Sequence, residues 1–192
     1  MTSVRSVLIC DYEQNVRTNL KNKLKALGFE EIWECSDGDS AVTMAGERLP
    51  EIAILDAAIP QKGGLSAARE IMQILKIPVI LLMSLCDPDT LRKAKKIGIT
   101  TILSKPFRGQ DLLPAIEMTF AHAEEVELLK DHVEDLKKTV ESRKIIDNAK
   151  EVLQRSKGLS EFGAFRKIQK LAMEKQKSMR QIAEAILITE GA

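Results

Sequence analysis

The sequence predicts an α/β fold, a five-stranded doubly wound parallel sheet, followed by a long coiled-coil helix and a small all-α domain of three helices. Three observations predict it. Short, branched, nearly continuous apolar runs alternate with amphipathic stretches in the N-terminal part. Polar residues far apart in the chain, Asp11, Asp56 and Lys105, each end one of those runs. Beyond Asp111 the strand pattern stops and helical periodicity continues alone.

The runs at 6–10, 52–55 and 78–83 have the composition of parallel strands covered on both faces. Runs at 31–35 and 101–103 complete the sheet. Val16, Leu20, Leu24 and Leu27 recur at helical spacing before Gly28, whose freedom at positive φ suits a helix stop, so the first helix spans 13–27. The same alternation predicts helices over 40–48, 65–75 and 88–97. Right-handed crossovers make the sheet parallel and place its ligand crevice at the carboxyl ends of the strands. Asp11, Asp56 and Lys105 therefore converge on one crevice. The plainer reading makes Asp56 an ordinary carboxylate at a strand end, with Lys105 as its structural partner.

A chain of 192 residues exceeds what one small domain needs. We expect domains over 1–120 and 142–192, joined by a coiled-coil helix over 121–141. The net charge of +1 does not point to nucleic acid or membrane by itself. The N-terminus MTSVRSVLIC lacks a signal-peptide layout and the apolar runs are too short to span a bilayer, so we expect a cytoplasmic protein without membrane partners. Cys10, Cys35 and Cys86 lack metal-ligand spacing and read as buried free thiols. His122 and His132 fall on the connecting helix, away from the crevice, and no nucleophile and base pair is evident, so no enzyme is expected.

After Pro114 no Gly or Pro interrupts the helical pattern to about residue 140. Val126, Leu129, Val133, Leu136 and Val140 alternate by three and four, a seam with Val at a and Leu at d that favours a parallel homodimer. Glu125 at g and Lys130 at the following e are signed to attract across it. The alternative packs the same stripe on its own chain. Residues 143–180 then carry eleven Lys and Arg against four acids, whereas 121–140 is acidic. Helices read at 142–156, 160–175 and 178–187, with Gly158 as a break and Ser160 as a cap. Their stripes supply a small core: Ile146, Ala149, Val152 and Leu153; Ala164, Phe165, Ile168, Leu171 and Ala172; Met179, Ile182, Ala183 and Ile186.

The segments CDYEQNVR (10–17), LDAAIPQKGGL (55–65) and LSKPF (103–107) resemble the three signatures of a two-component receiver domain, a flavodoxin-like fold. The resemblance implies a phosphoryl acceptor at Asp56, supported by Asp11, Glu13 and Lys105, and a weak magnesium site at Asp11, Asp56 and Ala58. Lys105 would hold the developing oxyanion, and the cation would offset phosphoryl charge. Three positions depart from the family. Tyr12 stands where a second acid contacts magnesium, and a neutral phenol is a poor substitute. Met83 replaces the hydroxyl residue that bonds the phosphoryl group, and a thioether cannot donate that bond. Ser84, one place along, would face the other way on a strand. Ile102 replaces the aromatic that swings inward. These departures imply a switch that is disabled or rewired; the milder alternative is a weakly phosphorylated receiver in which Tyr12 and Met83 only pack. A sensor histidine kinase or another regulatory protein is the implied partner.

Arg143, AK at 149–150, GLSEFGAF at 158–165, LAM at 171–173, Met179 and IAEAI at 182–186 resemble the ANTAR domain, a three-helix RNA-binding module of transcription antiterminators. Glu151 departs from the glycine common after AK. The resemblance implies structured mRNA hairpins as partner, with Arg143, Lys150, Arg155, Lys157, Arg166, Lys167, Lys170 and Arg180 as candidate contacts. A protein-interaction adaptor that binds no nucleic acid is the competing function. A DNA-binding regulator is disfavoured because no turn and recognition helix is evident.

Overall fold

The computed structural model describes residues 5–84 and 87–190. Cys86 lies outside the described residues. The chain divides after Val126 into two compact units.

In the first unit, β1 (Arg5–Cys10), α1 (Gln14–Ala26), β2 (Phe29–Cys35), α2 (Gly38–Arg48), β3 (Ile52–Asp56), α3 (Gly64–Ile74), β4 (Val79–Met83), α4 (Pro88–Ile97) and β5 (Thr101–Ser104) alternate. The strands form one parallel sheet in the order β2-β1-β3-β4-β5. β3 and β4 are buried throughout, as their unbroken apolar runs require. β2 and β5, at the edges, keep half-buried and exposed positions, which is why their sequences read less clearly as strands.

Side chains alternate between two cores. Val7, Ile9, Ile54, Ile80 and Leu82 pack with Leu20 and Leu24 of α1 and with Leu112 and Ile116 farther along the chain. Leu8, Leu55 and Leu81 face α2 to α4 through Ala41, Ala45, Ala67, Ala68, Ile71 and Ala94. Each fully buried Leu or Ile contributes roughly 1.5–3 kcal/mol of transfer free energy. The buried alanines of these helices, two each in α2 and α3 and one in α4, let the backbone lie close to the sheet. Asp37 caps α2 by accepting from Ser40 N at 2.9 Å, and Asp87 caps α4 from Thr90 N at 2.9 Å. Gly28 takes φ 89° just past α1, the stop its sequence position suggested.

The remaining elements are α5 (Gly109–Lys157), α6 (Glu161–Lys175) and α7 (Met179–Glu190). The separate helix expected at 142–156 is instead the last part of α5, a single helix of 49 residues. Between Pro114 and Gly158 the chain holds no Gly or Pro, so nothing ends the hydrogen-bond ladder. At Gly158 φ reaches +62°, and α5 stops. Ala149 and Leu153 of α5, Ala164, Ile168 and Ala172 of α6 and Ile182, Ala183 and Ile186 of α7 form the core of the second unit. Phe165, expected in that core, is instead exposed: the buried stripe of α6 is Ala164, Ile168 and Ala172, and the ring lies off it. No helix among the described residues is long and apolar enough to cross a membrane.

Candidate functional site

The strand order reverses between β1 and β3, and the crevice opens where both end. Asp11 follows β1, Asp56 ends β3 and Lys105 follows β5. The three come together: Lys105 Nζ lies 2.5 Å from Asp11 Oδ2 and also pairs with Asp56 Oδ2. Both aspartates are buried. Asp11 Oδ1 accepts from Glu13 N at 2.9 Å, and Asp56 Oδ1 accepts from Ala58 N at 2.5 Å, so each carboxylate folds its own loop. Lys105 N donates to Met83 O at 2.7 Å, and the Lys105–Pro106 peptide is cis.

One ammonium thus serves two carboxylates. Burial pushes the Asp11 carboxyl above its ordinary 3.8, against the pull of Lys105 and of Glu13 N. Burial also draws Lys105 down, but its pairing with Asp11 and Asp56 outweighs that and holds it above 10.5. Asp11 Oδ2 is a buried oxygen whose approach to Lys105 is close without hydrogen-bond alignment. Two carboxylates with such an oxygen suit a divalent cation in donor type. Among the described residues, however, no three His, Cys, Asp or Glu side chains are grouped to hold a metal.

The departed positions differ in environment. Tyr12 is exposed, with its ring centroid 5.9 Å from Lys105 Nζ, outside the buried core. The Glu13 carboxylate beside its phenol raises the Tyr12 pKa above 10.0 and keeps it neutral at pH 7. Glu13 itself occupies the N-cap of α1 rather than its first turn, and its side chain caps nothing. Met83 is buried in the core facing α2 to α4, and half-buried Ile102 packs against the same core. Ser84 lies beyond the end of β4, where strand alternation no longer applies, and lines a cleft with Glu13, Lys105, Pro106 and Phe107.

Two contributors escaped the sequence reading. Arg17 Nη1 donates to Asp11 O at 2.7 Å and Tyr12 O at 3.2 Å, pinning the loop that carries both. The available signal was a cation in the first turn of α1, where the helix dipole disfavours it. Gly64 is the other: a Cβ there would sit 2.0 Å from Asp56 O, so only glycine lets α3 start this close to the end of β3. Cys10 and Cys35, Cα partners on β1 and β2, are buried free thiols that donate to Asp37 O and Ile9 O, and the neighbouring Cys35 together with burial pushes Cys10 far above the usual thiol range.

In the second unit the candidate cations separate into two kinds. Lys150 bridges Asp147 at 2.7 Å and Glu161 at 3.0 Å; Arg155 meets Glu151; Lys157 meets Glu190; Lys170 meets Glu174; Arg180 meets Glu141 and Glu184. Arg143 and Arg166 pair with no acid among the described residues, and Lys167 has its pKa lowered mainly by neighbouring Lys157. Glu151 lies within α5 and pairs with Arg155. Val126 is half-buried, whereas Leu129, Val133, Leu136 and Val140 are 50–65% exposed.

With this architecture established, the chain matches the response regulator receiver domain over residues 7–117 and the ANTAR domain over residues 134–187. It belongs to the response regulators, in the group that joins a receiver to an ANTAR domain. Over 187 residues it is 35% identical to the transcriptional regulatory protein PdtaR of Mycobacterium tuberculosis, covering 97% of this chain and 91% of that protein. The probable transcriptional regulator ycf27 of Guillardia theta is 29% identical over 106 residues, 55% of this chain and 41% of that one. Among solved structures, the signal receiver domain of an HD domain-containing protein from Pseudomonas fluorescens aligns with TM-score 0.59 and 26% identity, over 63% of this chain and 98% of that one. The receiver domain of a modulated diguanylate cyclase from Desulfovibrio desulfuricans gives 0.58 and 26%, over 62% and 94%. The family is regulatory and is not a known class of enzyme.

Proposed function

We propose that this chain is an RNA-binding transcription antiterminator that works as a homodimer and whose receiver is impaired in magnesium-dependent phosphorylation and switching. The observation that carries the RNA reading is the ANTAR match over a three-helix unit rich in cations. Domains over 1–120 and 142–192, joined through 121–141, are part of the proposal. So are the cytoplasmic location and the eight candidate cations as RNA contacts.

In the receiver, Asp56 is the acceptor carboxylate and Lys105 the cation that would meet phosphoryl charge. Asp11 and Asp56, with Ala58, would hold magnesium, which when bound offsets the charge of the incoming group. The surrounding residues support impairment rather than loss. Met83 places a thioether in the core where a hydroxyl would report the modification. Tyr12 supplies no anion.

Binding of the untreated full-length chain to paired-hairpin RNAs across salt tests this reading. Selective, salt-sensitive binding without phosphorylation is expected. The adaptor reading gains support from one observation, the ion pairing of Lys150, Arg155, Lys157, Lys170 and Arg180, which lowers the free positive charge of the tail. It wins if no hairpin RNA binds selectively and a histidine kinase or regulator does.

A further inference from the structure

Phe162 is 68% exposed in α6, although the core of the second unit is complete without it. At about 100° per residue, Phe162, Arg166 and Met173 fall within about 40° of one another around the helix. They lie away from the buried stripe of Ala164, Ile168 and Ala172. Met173 is 73% exposed. The Arg166 guanidinium lies over the Phe162 ring, 5.2 Å from its centroid. Most other candidate cations of this unit are paired with carboxylates, but Arg166 has the ring and no acid among the described residues.

We propose that Phe162 and Arg166 form a stacking platform for one unpaired RNA base. This rests on the RNA reading above and assigns the residues that would take a base face rather than a phosphate. An exposed ring offers a π-surface that any base can cover, and an adjacent unpaired guanidinium supplies both a second planar surface and charge for the flanking phosphate. Charge complementarity selects this occupant: an anionic strand with flat, stackable bases matches the exposed Phe162 ring and the Arg166 guanidinium over it. The backbone beneath is held in place. Ser160 caps α6 by accepting from Gly163 N at 3.1 Å, which brackets Phe162, and a Phe side chain loses little rotamer freedom on stacking.

The test uses the full-length chain and one paired-hairpin RNA in two forms, with intact loop bases and with abasic loop positions. Phe162→Ala is expected to weaken binding to the intact loops by about 5- to 150-fold, the span of a single base–aromatic stack. Its salt slope should equal the parent's, since no phosphate contact is lost. Phe162→Trp should retain the affinity, and its added fluorescence, relative to the parent that already holds Trp33, should quench on intact loops alone. On abasic loops the parent and Phe162→Ala should bind equally. If Phe162→Ala matches the parent on intact loops, the platform is wrong while the antiterminator reading stands. If the parent binds no hairpin RNA, that reading fails and the platform with it. A change in sedimenting mass with RNA affinity intact would instead make this face a protein contact and overturn the proposal.

Discussion

Lys105 is one positive charge facing two buried carboxylates, Asp11 and Asp56, and that imbalance sets the energetics of the crevice. Removing it by Lys105→Ala leaves two buried anions uncompensated and should cost about 3–5 kcal/mol in urea unfolding. Asp11→Asn has the opposite sign. Because burial raises the Asp11 pKa above 3.8, the folded state binds more protons than the unfolded state between 3.8 and the raised value. Stability contributed by this group therefore falls as pH rises through that window and stays reduced above it. Asp11→Asn should be more stable than the parent at neutral pH, with the gap closing as pH falls towards 3.8; a gap that widened on acidification would refute the assignment. Gly64→Ala, whose Cβ would meet Asp56 O at 2.0 Å, should lose about 1–3 kcal/mol through forced backbone movement. Tyr12→Asp with Met83→Thr restores an acid and a hydroxyl, so acetyl phosphate with magnesium should label it more than the parent by intact mass. At this scale the sequence showed Asp11, Asp56 and Lys105 clearly, because each is a polar residue at the end of an apolar run. It did not show Arg17, whose partners are main-chain carbonyls, or the acids that pair with the tail cations, several of which come from other helices.

The elements were legible in proportion to how completely they are buried. β3 and β4 are covered on both faces and carry unmistakable runs, while β2 and β5 are edge strands whose exposed positions dilute the pattern. The length of α5 was underestimated because the change from acidic to basic charge near residue 142 resembles a boundary, yet charge does not terminate a helix and only Gly158 does. Phe165 was misplaced because it sits at the edge of the helical stripe, and the buried face of α6 is the narrower Ala164, Ile168 and Ala172. The seam of α5 is different: Leu129, Val133, Leu136 and Val140 are at least half exposed, and they are the surface that the proposed homodimer would cover. Val133→Asp with Leu136→Lys should convert a dimer to a monomer in analytical ultracentrifugation with helicity largely retained. An unchanged sedimenting mass would refute the seam.

At the scale of the whole molecule, the proposed dimeric antiterminator would gain from an RNA that presents two hairpins. Once one hairpin is held, the second binds at an effective concentration fixed by the linker rather than by bulk RNA. A two-hairpin RNA should therefore bind the parent about 10²- to 10⁴-fold more tightly than either hairpin alone, provided the spacing lets both be reached. The seam variant Val133→Asp with Leu136→Lys should bind single hairpins as the parent does, since its changes lie outside the core of the second unit. It should lose the two-hairpin advantage. Competition titrations with one- and two-hairpin RNAs at fixed salt measure both. If the variant keeps the advantage, one chain alone engages both hairpins and dimerisation serves another purpose; if single-hairpin affinity also collapses, the seam supports the RNA-binding fold itself.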